Sequence, residues 1–127
     1  MSVTVEWYNE EKTAFYVRYH PGWIWDEHHQ AVATIQKLRE EHRIEKSYCI
    51  FDMSGTTIPI GSPVGPHYTE PPQGSFIAMV IDNMFARTIV QIAIRALRKH
   101  HLFKIVGSRA EGEMYLEGYL EAATSVA

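Results

Sequence analysis

Two short, nearly unbroken apolar runs constrain this chain more than any other feature: Ser47 to Asp52 (Ser-Tyr-Cys-Ile-Phe-Asp) and Ser75 to Ile81 (Ser-Phe-Ile-Ala-Met-Val-Ile). A strand with water on one face alternates polar and apolar residues, whereas a run apolar throughout suits a strand covered on both faces. Both runs therefore read as central strands of a sheet flanked by helices. Between them, residues 55–74 hold five of the six prolines and four of the eight glycines, a composition that suits neither helix nor ladder pairing. A connection of that length inside a compact domain is functional or mobile.

The N-terminal part has a different period. Val3, Val5 and Trp7 alternate with polar neighbours, and after Asn9-Glu-Glu-Lys12 a second alternating run covers Thr13 to Tyr19, which predicts a hairpin. Pro21-Gly22 breaks the second strand. Asp26 and Glu27 place acidic residues in a helix first turn. Ala31, Val32, Ile35 and Leu38 then recur at helical spacing, with Gln30, Lys37, Arg39, Glu40 and Glu41 assigned to the surface, so a helix is predicted from Asp26 to His42. Asp82-Asn83 offers an N-cap to a second helix, Met84 to His100. Phe103 to Val106 reads as a short strand, and Ser108-Arg-Ala-Glu111 matches a capping box at the head of a final helix. The order predicts one α/β domain over residues 1–127: a mixed sheet of about five strands, an N-terminal hairpin followed by parallel crossovers, and about three helices. Whether the 55–74 connection contains a short helix stays open.

Composition excludes several classes. At 127 residues and 46% hydrophobic the chain suits one globular domain with a real core. A formal charge of −3 gives no basic surface for a nucleic acid. No apolar run approaches the roughly 20 residues of a membrane span, and the N-terminus lacks a signal-peptide pattern. The single cysteine, Cys49, excludes an internal disulfide and sits in an apolar run, as a packed small hydrophobe does. A cytoplasmic protein is expected.

Two local patterns then carry a resemblance. Gly22-Trp-Ile-Trp-Asp-Glu27 opens the first helix, and Ile50-Phe-Asp-Met-Ser54 ends the central strand. With the order of elements, they make the chain resemble STAS domains of the anti-sigma-factor-antagonist type, and more closely the SpoIIAA-like single-domain proteins of bacteria. The resemblance implies a STAS-like fold and an interaction or regulatory role. It also implies a phosphoserine several residues beyond the strand end, at the head of a helix. An ungapped count brings Ser62 there, but the acidic neighbour is missing and Pro63 follows, so a plain loop serine is the favoured reading.

Asp52 lies at the carboxyl end of a central strand, where α/β proteins place ligands; the favoured reading is that it accepts hydrogen bonds from the Ser54-Gly55 turn. The histidine-rich group of His20, Glu27, His28 and His29 lacks the spacing that puts two ligands on one helix face, and solvated helix-start histidines are expected instead. Gly61-Ser-Pro-Val-Gly65 lacks the spacing of a nucleophile elbow and the ending of a phosphate loop. Arg95, Arg98, Lys99, His100, His101 and Lys104 form a basic cluster that complements the end of the second helix.

On that helix Phe85, Ile89, Ile92, Ala93 and Ala96 are assigned to the packed stripe. Val90, Ile94 and Leu97 widen it, into either a partner interface or deeper burial. Trp7, Tyr19, Trp23 and Trp25 line a pocket or interface, or pack in the core. The chain is accordingly expected to be a non-enzymatic STAS-like regulatory module, without cofactor or metal, acting as a homodimer with a possible protein partner. Its docking surface is the loop from Asp52 to Gly74, with Asp52, Ser54, Gly55 and Ser62 as the candidate regulatory or partner-binding residues. The alternative is a sensor for a small apolar ligand or lipid.

Overall fold

The computed structural model of the chain describes residues 2–59, 75–96, 98 and 103–125. Five strands form one sheet in the order β1-β2-β3-β4-β5: β1 (Val3–Trp7), β2 (Ala14–Tyr19), β3 (Ser47–Asp52), β4 (Ser75–Val80) and β5 (Phe103–Val106). The β1–β2 pair is antiparallel, with Val3 opposite Tyr19 and Trp7 opposite Phe15; β2, β3, β4 and β5 run parallel. Helices α1 (Trp25–His42), α2 (Met84–Ala96) and α3 (Arg109–Ser125) complete the α/β fold. The predicted mixed sheet, hairpin and three helices are therefore all present.

The hairpin turn is held by Asn9, whose Oδ1 accepts the backbone N–H groups of Thr13 (3.1 Å) and Ala14 (3.2 Å). Every residue of β3 is buried, as its continuous apolar run requires. Phe15, Val17, Tyr19, Cys49, Phe51, Ile77 and Met79 face one side of the sheet, where Ala31, Val32 and Ile35 of α1 and Val90 and Ile94 of α2 join the same core. Ala14, Tyr16, Tyr48, Ile50, Val80 and Val106 face the other, against Leu116 of α3. A Cβ added at buried Gly112 would meet Val80, Val106 and Ile50 at 3.4–3.7 Å, ordinary packing distances, so α3 lies directly on the sheet at this point.

The caps follow the sequence with small changes. Asn83 Oδ1 accepts the N–H of Ala86 at 3.0 Å, and Ser108 Oγ accepts that of Glu111 at 3.2 Å. The Glu111 carboxylate reaches back one residue beyond the box, to the N–H of Gly107. Arg98 takes a left-handed φ of 58°, so α2 stops short of the predicted His100. Arg39, assigned to the surface, is buried. Its guanidinium donates to the carbonyls of Ile44 and Glu45 and to Ser75 Oγ, tying the end of α1 to the starts of β3 and β4.

The packed side of α2 is the reverse of the expected one. Val90 and Ile94 point into the core, whereas Phe85 is 76%, Ile89 44% and Ile92 64% exposed. The apolar residues make two stripes on this helix, and periodicity alone does not say which one meets the sheet. Leu97, Ser62, the Gly61 to Gly65 motif, Lys99, His100 and His101 lie outside the described residues. No described helix is long and apolar enough to cross a membrane.

Candidate functional site

The parallel register of β2 and β3 sets Arg18 beside Asp52. Tyr16, two residues earlier on β2, projects from the same face because side chains alternate along a strand. Around the buried Asp52 carboxylate these neighbours form a closed network. The Tyr16 hydroxyl donates to Oδ2, the Arg18 guanidinium lies 3.2 Å from Oδ2, and Oδ1 accepts the Ser54 hydroxyl at 2.6 Å and the Ser54 N–H at 3.1 Å. From α3, Arg109 stacks over the Tyr16 ring at 4.2 Å and donates to its hydroxyl at 3.3 Å. The expected hydrogen bond from the Ser54 backbone is thus present, while Gly55, at φ 74°, donates its N–H to Asp82 at 3.1 Å. Arg18 also reaches Ser54 Oγ at 3.2 Å.

The electrostatics follow from these contacts. Burial alone would raise the Asp52 pKa, but the hydrogen bonds from Ser54 and Tyr16 and the charge of Arg18 outweigh it and hold the carboxyl below its ordinary value. Burial, then the hydrogen bond to and charge of Asp52, push the Tyr16 phenol up to about 12. At neutral pH the network therefore holds an anion and a neutral phenol, and neither is poised to exchange a proton near pH 7. It fixes the exit of β3 and the Ser54-Gly55 turn. Sequence reasoning found Asp52 and Ser54 but missed Tyr16, Arg18 and Arg109. The alternation in β2 is the signal that puts Tyr16 and Arg18 on one face; nothing local connects either to Arg109, which arrives from the last helix.

A second cluster lies on the other face. Tyr19 Oη and His28 Nδ1 are 2.6 Å apart, and the His28 ring contacts those of Tyr19, Trp23, Trp25, His29 and Phe51. Burial in this aromatic surround, and then His29, push the His28 pKa down to about 3, so the imidazole is neutral. His28 is half-buried and His29 buried, which corrects the expectation of solvated helix-start histidines. Trp23 is buried and donates through Nε1 to Thr56 Oγ1 at 3.0 Å, while half-buried Trp25 meets it edge-on. Both tryptophans thus pack at the corner into α1, and Trp23 ties that corner to the segment after β3. Among the described residues no group of three or more metal-ligating side chains comes together. Burial raises the Cys49 thiol to about 12, as suits a packed hydrophobe.

No family model matches the chain, and neither the curated proteins nor the solved structures include a significantly similar match.

Proposed function

We propose that this chain is a non-enzymatic, STAS-like interaction or regulatory domain that works as a homodimer and receives a protein partner at the end of β3, in the manner of anti-sigma-factor-antagonist signalling. The observation that carries this reading is the commitment of Asp52. Both its oxygens are engaged, and its charge is matched by Arg18. What the network presents outward is a fixed turn with Gly55 and Thr57 exposed and Ser54 partly so. A rigid loop on a sheet scaffold is the common setting for recognition. A cytoplasmic, bacterial setting belongs to the same proposal.

A second reading, a sensor for a small apolar ligand, has one observation in its favour: a groove of about 290 Å³ between β1 and α1, lined by Val3, Val5, Ala31 and Thr34 among others. The experiment that tests the first reading is side-by-side affinity capture with the wild type and Thr57→Arg, an exposed position outside the Asp52 network. A protein retained by the wild type and lost by the equally folded variant supports docking at this turn. Equal retention by both, or capture of nothing, overturns it.

A further inference from the structure

The exposed stripe of α2 is used by neither the fold nor the Asp52 network. Phe85, Ile89, Ile92 and Ala96 fall within roughly 60° of one another around the helix axis. This stripe is separate from the one formed by Val90 and Ile94, which are buried against the sheet. Three large apolar side chains in line, each between 44% and 76% exposed, are not the scattered single residues that an ordinary surface tolerates.

We infer that the occupant of this stripe is the α2 helix of a second copy of the chain, packed antiparallel about a two-fold axis. The inference deepens the homodimer part of the proposed function. Two properties of the helix favour a copy of itself. The stripe is self-complementary: about a centre between Val90 and Gln91, an antiparallel partner sets Phe85 against Ala96 and Ile89 against Ile92, large against small at the ends and equal at the middle. The charges are self-complementary too. Asp82 and Asn83 precede the helix, Arg95 lies in its last turn, Arg98 follows it, and the helix itself contains no acidic residue. Antiparallel packing brings each exposed Asp82 towards the arginines of the other copy and opposes the two helix dipoles; parallel packing would gather like charges at one end.

The helix is ~20 Å long, so this contact alone is smaller than the standard interface of about 800 Å² per partner, and an association in the micromolar range is expected.

Sedimentation of the full chain across a concentration series tests this with Ile89→Glu and Ile92→Lys, both at exposed positions and both checked for an unchanged circular-dichroism spectrum. Each variant alone should dimerise about 100-fold more weakly, since a charge is then buried unpaired in an apolar contact. Mixed together they should recover a heterodimer, because only antiparallel packing sets residue 89 of one copy against residue 92 of the other. A wild type that stays monomeric overturns both the homodimer reading and this interface. A dimer unaffected by either variant, or two weakened variants that do not recover on mixing, overturns the antiparallel α2 contact and leaves the homodimer reading standing. Monomeric wild type that instead sediments with vesicles of anionic lipid, and loses that binding in Ile89→Glu, assigns the stripe to a membrane surface and overturns the inference.

Discussion

Tyr16 and Tyr19 stand three residues apart on β2 and face opposite sides of the sheet, and each places its hydroxyl on a titratable partner. Tyr16 meets a carboxylate kept ionised by Ser54 and Arg18, at the carboxyl end of β3 where polar groups from the turn and α3 converge. Tyr19 meets an imidazole kept neutral by the aromatic rings around it. Burial acts on both partners, yet on one side hydrogen bonds and a cation compensate it and on the other nothing charged does. The comparison shows that position along one strand, relative to what each face receives from the helices, decides whether a buried polar pair is ionic or neutral.

Breaking the ionic side should have the largest effect. Asp52→Ala leaves Tyr16, Ser54 and Arg18 without their common acceptor, and a loss of about 3 kcal/mol is expected by urea denaturation, the low end of the range for breaking a buried ion pair because the Arg18 side chain is 34% exposed. Tyr16→Phe removes one of several hydrogen bonds to the same carboxylate and should cost about 1–3 kcal/mol by the same assay. An equal loss from the two variants would show that Asp52 depends on Tyr16 alone.

The neutral side should reveal itself through pH. His28 has its pKa lowered in the fold, so the unfolded chain takes up a proton first as pH falls below about 6.5, and stability drops from there towards pH 3. By pH 5 the loss relative to pH 7 should be of order 2 kcal/mol, and His28→Phe should flatten that part of the curve. Asp52 acts in a lower window. Its depressed pKa contributes stability that is complete above about pH 4, near the unfolded carboxyl value, and is lost as pH falls through its folded value. An acid profile with one transition in Asp52→Asn and two in the wild type would sharpen the contrast.

A smaller effect separates two glycines of α3. At exposed Gly118 an added Cβ meets nothing within 4 Å, so Gly118→Ala should stabilise by about 0.5–1 kcal/mol in thermal unfolding through helix propensity alone. Gly112→Leu, by contrast, extends into Val80, Val106 and Ile50 and should destabilise.

How far the sequence reveals this arrangement depends on the kind of contact. β3 and β5 were readable to the residue because apolar runs and flanking turns are local signals, and Asn83 and Ser108 announced the starts of α2 and α3 as caps. Asp52 with Ser54 was legible for the same reason, being two residues apart. Arg109 over Tyr16 spans 93 residues and has no local signature. The packed side of α2 was misread because both stripes are apolar, and the choice between them is made by the sheet. His28 was misread as solvated because the rings of Tyr19, Trp23 and Phe51 that cover it come from outside the helix, and buried His29 carries no local signal of its burial either.

The measurement that tests the functional account most directly is native mass spectrometry of the full chain purified without added ligand, across a range of protein concentrations. The account predicts a dimer that grows with concentration and carries no bound small molecule. A monomer that retains a reproducible small-molecule mass at every concentration would contradict it and identify the chain as a ligand sensor.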